Sequence, residues 1–487
     1  MADFSAIYPE IILILFAAAL PAVHVLLKSS RAIAAVSLVG IAASIGAVIY
    51  YMLGTYPPVI GPTETPLIQL DAFAAVFSLV FLSVAFYVVL ASARYVEKDR
   101  HLAEYYALIM LATSGMMLVA AAKDLLTIFV GLELASISTF ALVAFRKKDK
   151  RGAEAAAKYL IIGGLSTALS LYGISLLYGI TGTTNLIAIN NALAASGADL
   201  VTLLSVALIL AGFGFKVAIV PFHMWAPDVY EGAPSTIAAM LASGSKKMGM
   251  VLLFKVFLVG LLAIKADWDI VAGVIAILTM TVGNVLALSQ TNIKRMLAYS
   301  SVAQAGYMII AIAIATPFAV EASIFHIITH AFMKGGAFIV VAALAYVALG
   351  EAVADYKGLG KRAPYLAFSM AVFLFALAGI PPLSGFMSKV VLLSASIDAA
   401  AVPADNWVLW LGVALILNSA LSLYYYVRVI KYMYVEKGES TERIKVPISM
   451  TAAVTICLIA TIGLGLFFDP VLEWCEAAAN ALLGLAA

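Results

Sequence analysis

The sequence predicts an all-α polytopic membrane protein of about 14 transmembrane helices. Three observations carry this prediction. The 487 residues are 64% apolar and only 11% charged, whereas soluble domains run near a quarter charged. Apolar runs long enough to cross a bilayer recur along the whole chain, each bounded by charge, Pro or Gly. The basic residues of the connections alternate from side to side, as the positive-inside rule requires. The mean hydropathy of +1.07 agrees. At about 20 residues per crossing the length is used up, so no folded soluble domain is expected and the function must sit inside the bilayer. A net charge of +2 excludes a nucleic-acid surface. The two cysteines, Cys457 and Cys475, are too few for an iron–sulfur cluster or a four-ligand zinc site, so no cofactor and no metal is expected on this chain.

Taken in order, the first run, 8–27, lacks a basic leader and leads straight into the second, 32–53, so it reads as a retained helix beginning beside Glu10. Runs 72–93, 105–122, 125–145 and 155–180 follow, each closed by a polar or basic connection. The seventh, 201–220, and eighth, 235–262, are joined by a segment with no basic residue. Runs 270–288, 296–315, 322–349, 366–397, 407–429 and 446–468 complete the set. Odd-numbered connections hold nineteen of the 29 basic residues, and even-numbered ones hold only Lys123 and Lys265. The odd connections are therefore cytoplasmic and both termini lie outside, across a cell membrane. Trp268, Trp407, Trp410 and Trp474 fall at outer helix ends, where interfacial anchors belong.

Eight basic residues remain within the runs: Lys158, Lys216, Lys246, Lys247, Lys255, Lys334, Lys389 and Arg428. Arg428 and Lys158 lie near cytoplasmic ends and have water within reach, and Lys255 is close to a boundary. The others do not. A lysine at a helix centre costs about 2.5–3.5 kcal/mol, so Lys216, Lys246 or Lys247, Lys334 and Lys389 together cost on the order of 10–14 kcal/mol. A static set of buried ion pairs is the competing explanation, but Glu133 is the one carboxylate clearly at mid-depth. His326 and His330 share a helix face that Lys334 continues one step further. A His–His–Lys ladder suits proton relay, since both residue types exchange protons.

Two runs look broken. Thirty-two residues at 366–397 would make a straight helix of about 48 Å against a hydrocarbon layer of about 30 Å. Pro381 and Pro382 lie in the middle of that run, with Lys389 two turns later. The seventh run has Gly212 and Gly214 before Lys216 and Pro221 after it. Proline frees backbone carbonyls, which this depth tolerates only beside water or polar side chains. The two sites are five spans apart. An odd offset makes spans four to eight and nine to thirteen an inverted pair of five-helix repeats with broken helices 7 and 12. The expected units are 1–103 (three N-terminal helices), 104–262 (the inner half-channel), 263–431 (the outer half-channel) and 432–487 (a last helix and tail).

The stretches GLELASISTFALVAFRKKDKRGAEAAAKYLIIGG, FKVAIVPFHMWAPDVYEGAPS, LASGSKKMG, NIKRMLAYSSVAQAGY and GIPPLSGFMSK together resemble the antiporter-like subunit N of proton-pumping complex I. The short C-terminal end favours N over subunit L, which carries a long lateral helix. The family includes NADH:quinone oxidoreductases and deazaflavin-linked, methanophenazine-reducing dehydrogenases, and the reading leans to the latter. The resemblance implies that Glu133 and Lys216 form the acid–lysine pair of the first half-channel. It also implies that Lys246 is the central relay, with Lys247 competing, and that Lys389 is the terminal lysine of the outward half. Lys158 and Glu154 match polar positions of the sixth helix. Where many subunits N carry a histidine in the tenth span this chain has Gln304, so either water or the His326–His330 pair must take over.

The resemblance further implies proton movement from the cytoplasm outward, driven by redox chemistry elsewhere. Iron–sulfur clusters, flavin and a quinone or methanophenazine are then expected in partner subunits. The partners would be an antiporter-like neighbour and small subunits of the K, J, A and H types. The rivals are a subunit of a multi-subunit cation/proton antiporter, the membrane arm of an energy-converting hydrogenase, and a passive scaffold.

Overall fold

The computed structural model describes residues 4–54, 58–62, 64–438, 440 and 442–485. Thirteen helices among them are long and apolar enough to cross a membrane. The run at 366–397 makes the remaining crossing in two pieces, Pro364–Ala378 and Ser384–Ala400, so fourteen spans stand as the apolar runs predict. The protein is an all-α, multi-pass membrane protein.

Short polar residues start these helices by accepting the amides that a first turn leaves free. Asp71 opens span 3 (Ala72–Tyr95), Asp124 opens span 5 (Leu125–Val143), Asp149 opens span 6 (Lys150–Thr181) and Asp199 opens span 7 (Leu200–Val217). Asn292 and Thr316 do the same for span 10 (Ile293–Ile314) and span 11 (Pro317–Tyr346). Span 4 is Leu102–Ala121, span 8 is Ser235–Gly260, span 9 is Lys265–Leu288 and span 13 is Leu409–Tyr434. Spans 8, 10 and 11 are almost wholly enclosed by the others, whereas span 1 (Tyr8–Leu27), span 2 (Ser30–Met52) and span 6 turn broad apolar faces outward. Span 8 has a π-helical turn on each side of Lys246–Lys255, at Leu241–Ser245 and Val256–Gly260.

Two details of backbone packing reveal the inverted repeat. Spans 4 and 5 close to backbone contact at Gly115, where a Cβ would fall 2.6 Å from the Ala135 amide nitrogen. Spans 9 and 10 do the same at Gly283, where a Cβ would fall 2.5 Å from that of Ala303. The capping residues Asp124 and Asn292 each form an isolated bridge, to Asn185 and Ala352. Residues 115, 124 and 135 therefore match 283, 292 and 303 at one constant offset. By that offset Glu133 corresponds to Ser301 and Ser136 to Gln304.

The breaks also share a layout. Ala218 (φ 59°) and Gly379 (φ 90°) end their helices in the left-handed region, and a proline follows three positions on, at Pro221 and Pro382. The seventh run therefore stops at Val217, short of 220, because Ala218 turns the chain. The basic-free connection folds back as a buried short helix, Trp225–Gly232. Two elements that hydropathy did not single out are Leu186–Ser196, capped by Asn185, and the amphipathic tail helix Asp469–Leu483. Trp410 and Trp474 are exposed as anchors should be, but Trp268 is buried and donates to the Leu261 carbonyl. Trp407 lies against Gly273, so these two tryptophans pack helices together rather than float at an interface.

Candidate functional site

Span 7 ends one residue after Lys216, which puts the ammonium beside the break and between spans 5 and 6. Lys216 Nζ donates to Ser136 Oγ at 2.9 Å and to Tyr159 OH at 3.3 Å, and it stands over the Phe140 and Tyr159 rings at 6.0 and 5.6 Å. Glu133 is half-buried and accepts instead from Thr167 at 2.9 Å. The expected contact between Glu133 and Lys216 is therefore open: each has a neutral partner, and Ser136 stands one turn beyond Glu133 on the same helix. The carbonyl of Phe215, beside the break, is taken by Trp225 Nε1 at 2.8 Å.

In the centre, Lys246 Nζ donates to Ser301 Oγ at 3.3 Å, across to the position that corresponds to Glu133. Among the described residues, Lys247 Nζ has the Met308 sulfur as its hydrogen-bond partner, at 3.6 Å. Among them Lys246 thus has a hydroxyl partner, and Lys247 a thioether. Lys334 donates to Ser300 Oγ at 2.6 Å and to the Leu297 carbonyl at 3.2 Å. His330 is fully buried, with neither ring nitrogen partnered among the described residues. Its ring lies 6.2 Å from that of His326, so the ladder is a stack of neighbours and not a closed hydrogen-bonded chain.

His326 Nε2 lies 3.0 Å from Gln304 Oε1, and its Nδ1 lies 2.9 Å from Ser388 Oγ. Gln304 Nε2 in turn donates to the Leu377 carbonyl at 3.1 Å. That same carbonyl accepts from Lys389 Nζ at 2.9 Å, and the lysine also reaches the Ala378 carbonyl at 3.1 Å and Ser419 Oγ at 2.8 Å. The break in span 12 has freed these carbonyls, and a lysine uses them. Gln304 is therefore a bridge between His326 and the acceptor of Lys389. The two break lysines are not equivalent: counted from the positive-φ residue, Lys216 matches Leu377, and Lys389 matches Asp228.

Lys158 is not a solitary snorkelling residue. It is held by Asp228 at 2.7 Å and Glu154 at 2.8 Å, and Arg295 joins the group through Asp228 (2.7 Å) and Glu231 (2.8 Å). Burial works to raise the Asp228 carboxyl, but the hydrogen bonds from Lys158 and Arg295 outweigh it and hold the carboxyl below the usual carboxylate range. This network ties span 6, the Trp225–Gly232 helix and the start of span 10 together at one end of the bundle. Asp228 lies inside a quoted motif, yet its role was not legible because its partners are 70 and 67 positions away. Ser136, Tyr159, Ser301, Ser388 and Ser419 were missed for a different reason, since hydroxyls in apolar helices carry no sequence signal of their own. His223, buried with both nitrogens unpartnered among the described residues, was also missed.

These features define a class: a membrane protein of inverted-repeat design with a row of buried lysines passing through two broken helices. The family described as NADH:quinone oxidoreductase/Mrp antiporter, TM, matches residues 122–417, and the chain belongs to it. It is 47% identical over 428 residues to F(420)H(2) dehydrogenase subunit N of Methanosarcina mazei, covering 85% of both chains. To NADH-quinone oxidoreductase subunit N of Trichlorobacter lovleyi it is 42% identical over 445 residues, covering 90% of this chain and 88% of that one. A chain of the respiratory complex I from Thermus thermophilus with bound aureothin superposes with a TM-score of 0.79 at 30% identity, over 96% of this chain and 99% of that one. The resemblance to complex I subunit N read from the motifs is borne out.

Proposed function

We propose that this chain carries protons across a cell membrane, from cytoplasm to outside, as the subunit N of a complex I-type respiratory dehydrogenase whose redox chemistry lies in other subunits. The observation that carries the reading is the way the buried lysines are held. Lys216, Lys246, Lys334 and Lys389 end on hydroxyls and backbone carbonyls, not on carboxylates. A lysine kept only to brace the fold needs an acid beside it, because an unpaired buried charge is costly. Lysines on neutral oxygens are free to give up and regain a proton.

In this reading residues 104–262 form the inner half-channel and 263–431 the outer one. Units 1–103 and 432–487 flank them, and both termini face outward. Lys216 has two positions: the Ser136 position described above, and a second against Glu133, about 4.5 Å away along span 5 by the rise of three helical residues. A change of charge near Glu133 selects between them. The proton then passes to Lys246, through the His330–His326 region and Lys334, and by water to Lys389, while Gln304 and the Leu377 carbonyl hold His326 and Lys389 in place. The likeness to an F(420)H(2) dehydrogenase subunit supports a deazaflavin donor and a methanophenazine or quinone acceptor, with flavin and iron–sulfur clusters in partner subunits. An antiporter-like neighbour and small membrane-arm subunits of the K, J, A and H types complete the membrane side.

The test is purification through a tag on this chain, followed by reconstitution into vesicles. Redox subunits that co-purify and proton transport that requires an electron donor are the expected results. A sodium-driven pH change with no donor present would replace this reading with that of a cation/proton antiporter.

A further inference from the structure

Glu10 lies outside both repeats, in the third position of span 1, and the relay described above does not use it. It is nevertheless 4% exposed, and neither carboxyl oxygen meets a cation or a donor from another residue among those described. An acid in the first turn of a helix ordinarily serves the free amides there. Glu10 has no first-turn amide within reach but its own. Two hydroxyls that reach this turn are committed to its main-chain carbonyls, Ser44 Oγ to Pro9 at 2.9 Å and Ser114 Oγ to Glu10 itself at 3.4 Å. A carboxylate so placed would be an uncompensated buried charge.

Its depth is set by span 4. Ser114 touches the Glu10 carbonyl, and the next residue, Gly115, packs on the Gly131 carbonyl and the Ala135 amide, the turn of span 5 that bears Glu133. One residue further on, the Met116 sulfur lies 3.3 Å from where a Cβ on Gly244 would be, two positions before Lys246. The turns that bear Glu10, Glu133 and Lys246 therefore pack on three successive residues of span 4, at one level, with the Glu133 and Lys246 side chains directed onward to Thr167 and Ser301. Resting on the proton-carrying reading above, we propose that Glu10 is a further proton-holding group, extending the mid-depth row from Glu133 into the N-terminal three-helix layer. Its O–H bond breaks as the proton passes to a water drawn in along span 4, which gains that O–H bond and the positive charge, and the carboxylate takes a proton back from a hydronium in the reverse step.

The experiment uses the whole complex in vesicles. Glu10→Gln keeps the shape of a protonated acid and loses only the exchangeable proton, so a packing role would leave it unaffected. The expected result is an assembled complex whose proton-to-electron ratio falls at least twofold and is largely restored by Glu10→Asp. A wild-type ratio in Glu10→Gln overturns the proposal, provided that Glu133→Gln loses transport in the same preparation. If Glu133→Gln also transports normally, the proton-carrying reading itself has failed. Should Glu10→Gln not assemble, the wild-type complex decides. Treatment with a hydrophobic carbodiimide adds the acid across the reagent's C=N bond, the carboxyl oxygen going to carbon and the proton to nitrogen. An adduct on Glu10 found by mass spectrometry supports a protonated, exchanging acid, and its absence overturns it.

Discussion

Replacing Glu133 by Gln isolates the switch at the entrance of the row. In the open arrangement Lys216 Nζ has two neutral acceptors, at 2.9 and 3.3 Å, and Glu133 has Thr167 at 2.9 Å. Removing the carboxylate charge therefore costs the open arrangement little. The paired arrangement, with unit charges about 4 Å apart, is worth about 4 kcal/mol at an effective dielectric of 20. Gln forfeits nearly all of that, and at about 1.4 kcal/mol per tenfold the preference between the two positions shifts by on the order of a thousandfold. Lys216 should then remain on Ser136 whatever happens next to it. The assay is electron-driven acidification by reconstituted vesicles, expressed as protons per electron, with assembly checked by co-purification. Pumping should be abolished in an intact complex. A normal ratio would refute the reasoning, because the charge on Glu133 would then have no bearing on the lysine.

Other outcomes follow from the same geometry. Lys389→Leu should abolish transport, whereas Gln304→Leu, which removes the bridge between His326 and the Leu377 carbonyl, should slow it severalfold; equal losses would make Gln304 a carrier in its own right. Asp228→Asn leaves Lys158 with Glu154 and Arg295 with Glu231, so it should cost about 1–2 kcal/mol of stability in a denaturation series, discounted for its wet surroundings. Because the folded Asp228 carboxyl lies below its ordinary value of 3.8, its contribution is complete above that value and is lost only as the pH falls through the lower folded one. Loosening of this network between pH 6 and 8, seen as accelerated hydrogen exchange in Trp225–Gly232, would contradict it. Gly115→Val and Gly283→Val each drive a side chain into backbone of the adjoining helix and should lower the unfolding midpoint or prevent assembly, whereas Gly46→Val, which meets nothing within 4 Å, should be neutral.

Much of the fold was legible because membrane insertion enforces it locally. A run of apolar residues between Asp124 and Arg146 has few structures open to it in a bilayer, and the loop charges count the crossings. The breaks were legible from Pro221, Pro381 and Pro382, since proline acts on its own helix. Lysines at forbidden depth likewise announce themselves by their cost. What the sequence concealed were relations between helices. That Lys216 rests on Ser136, that Gln304 joins His326 to the acceptor of Lys389, and that Asp228 gathers Lys158 and Arg295 depend on packing between residues up to 80 positions apart. Trp268 shows the same limit: position at a helix end suggested an anchor, and tertiary burial decided otherwise.

The mode of lysine coordination bears on speed. Where an ammonium is clasped by a carboxylate, departure of its proton must wait until opposite charges are pulled apart. Beyond Lys216, whose switch involves Glu133, each lysine of this row need only exchange one uncharged oxygen for another of similar strength, so the slow event there becomes the arrival of solvent between the helices. Conduction should accordingly follow the wetting of the interior, and bulky apolar substitutions that keep that space dry should throttle it even when every titrating residue is left in place.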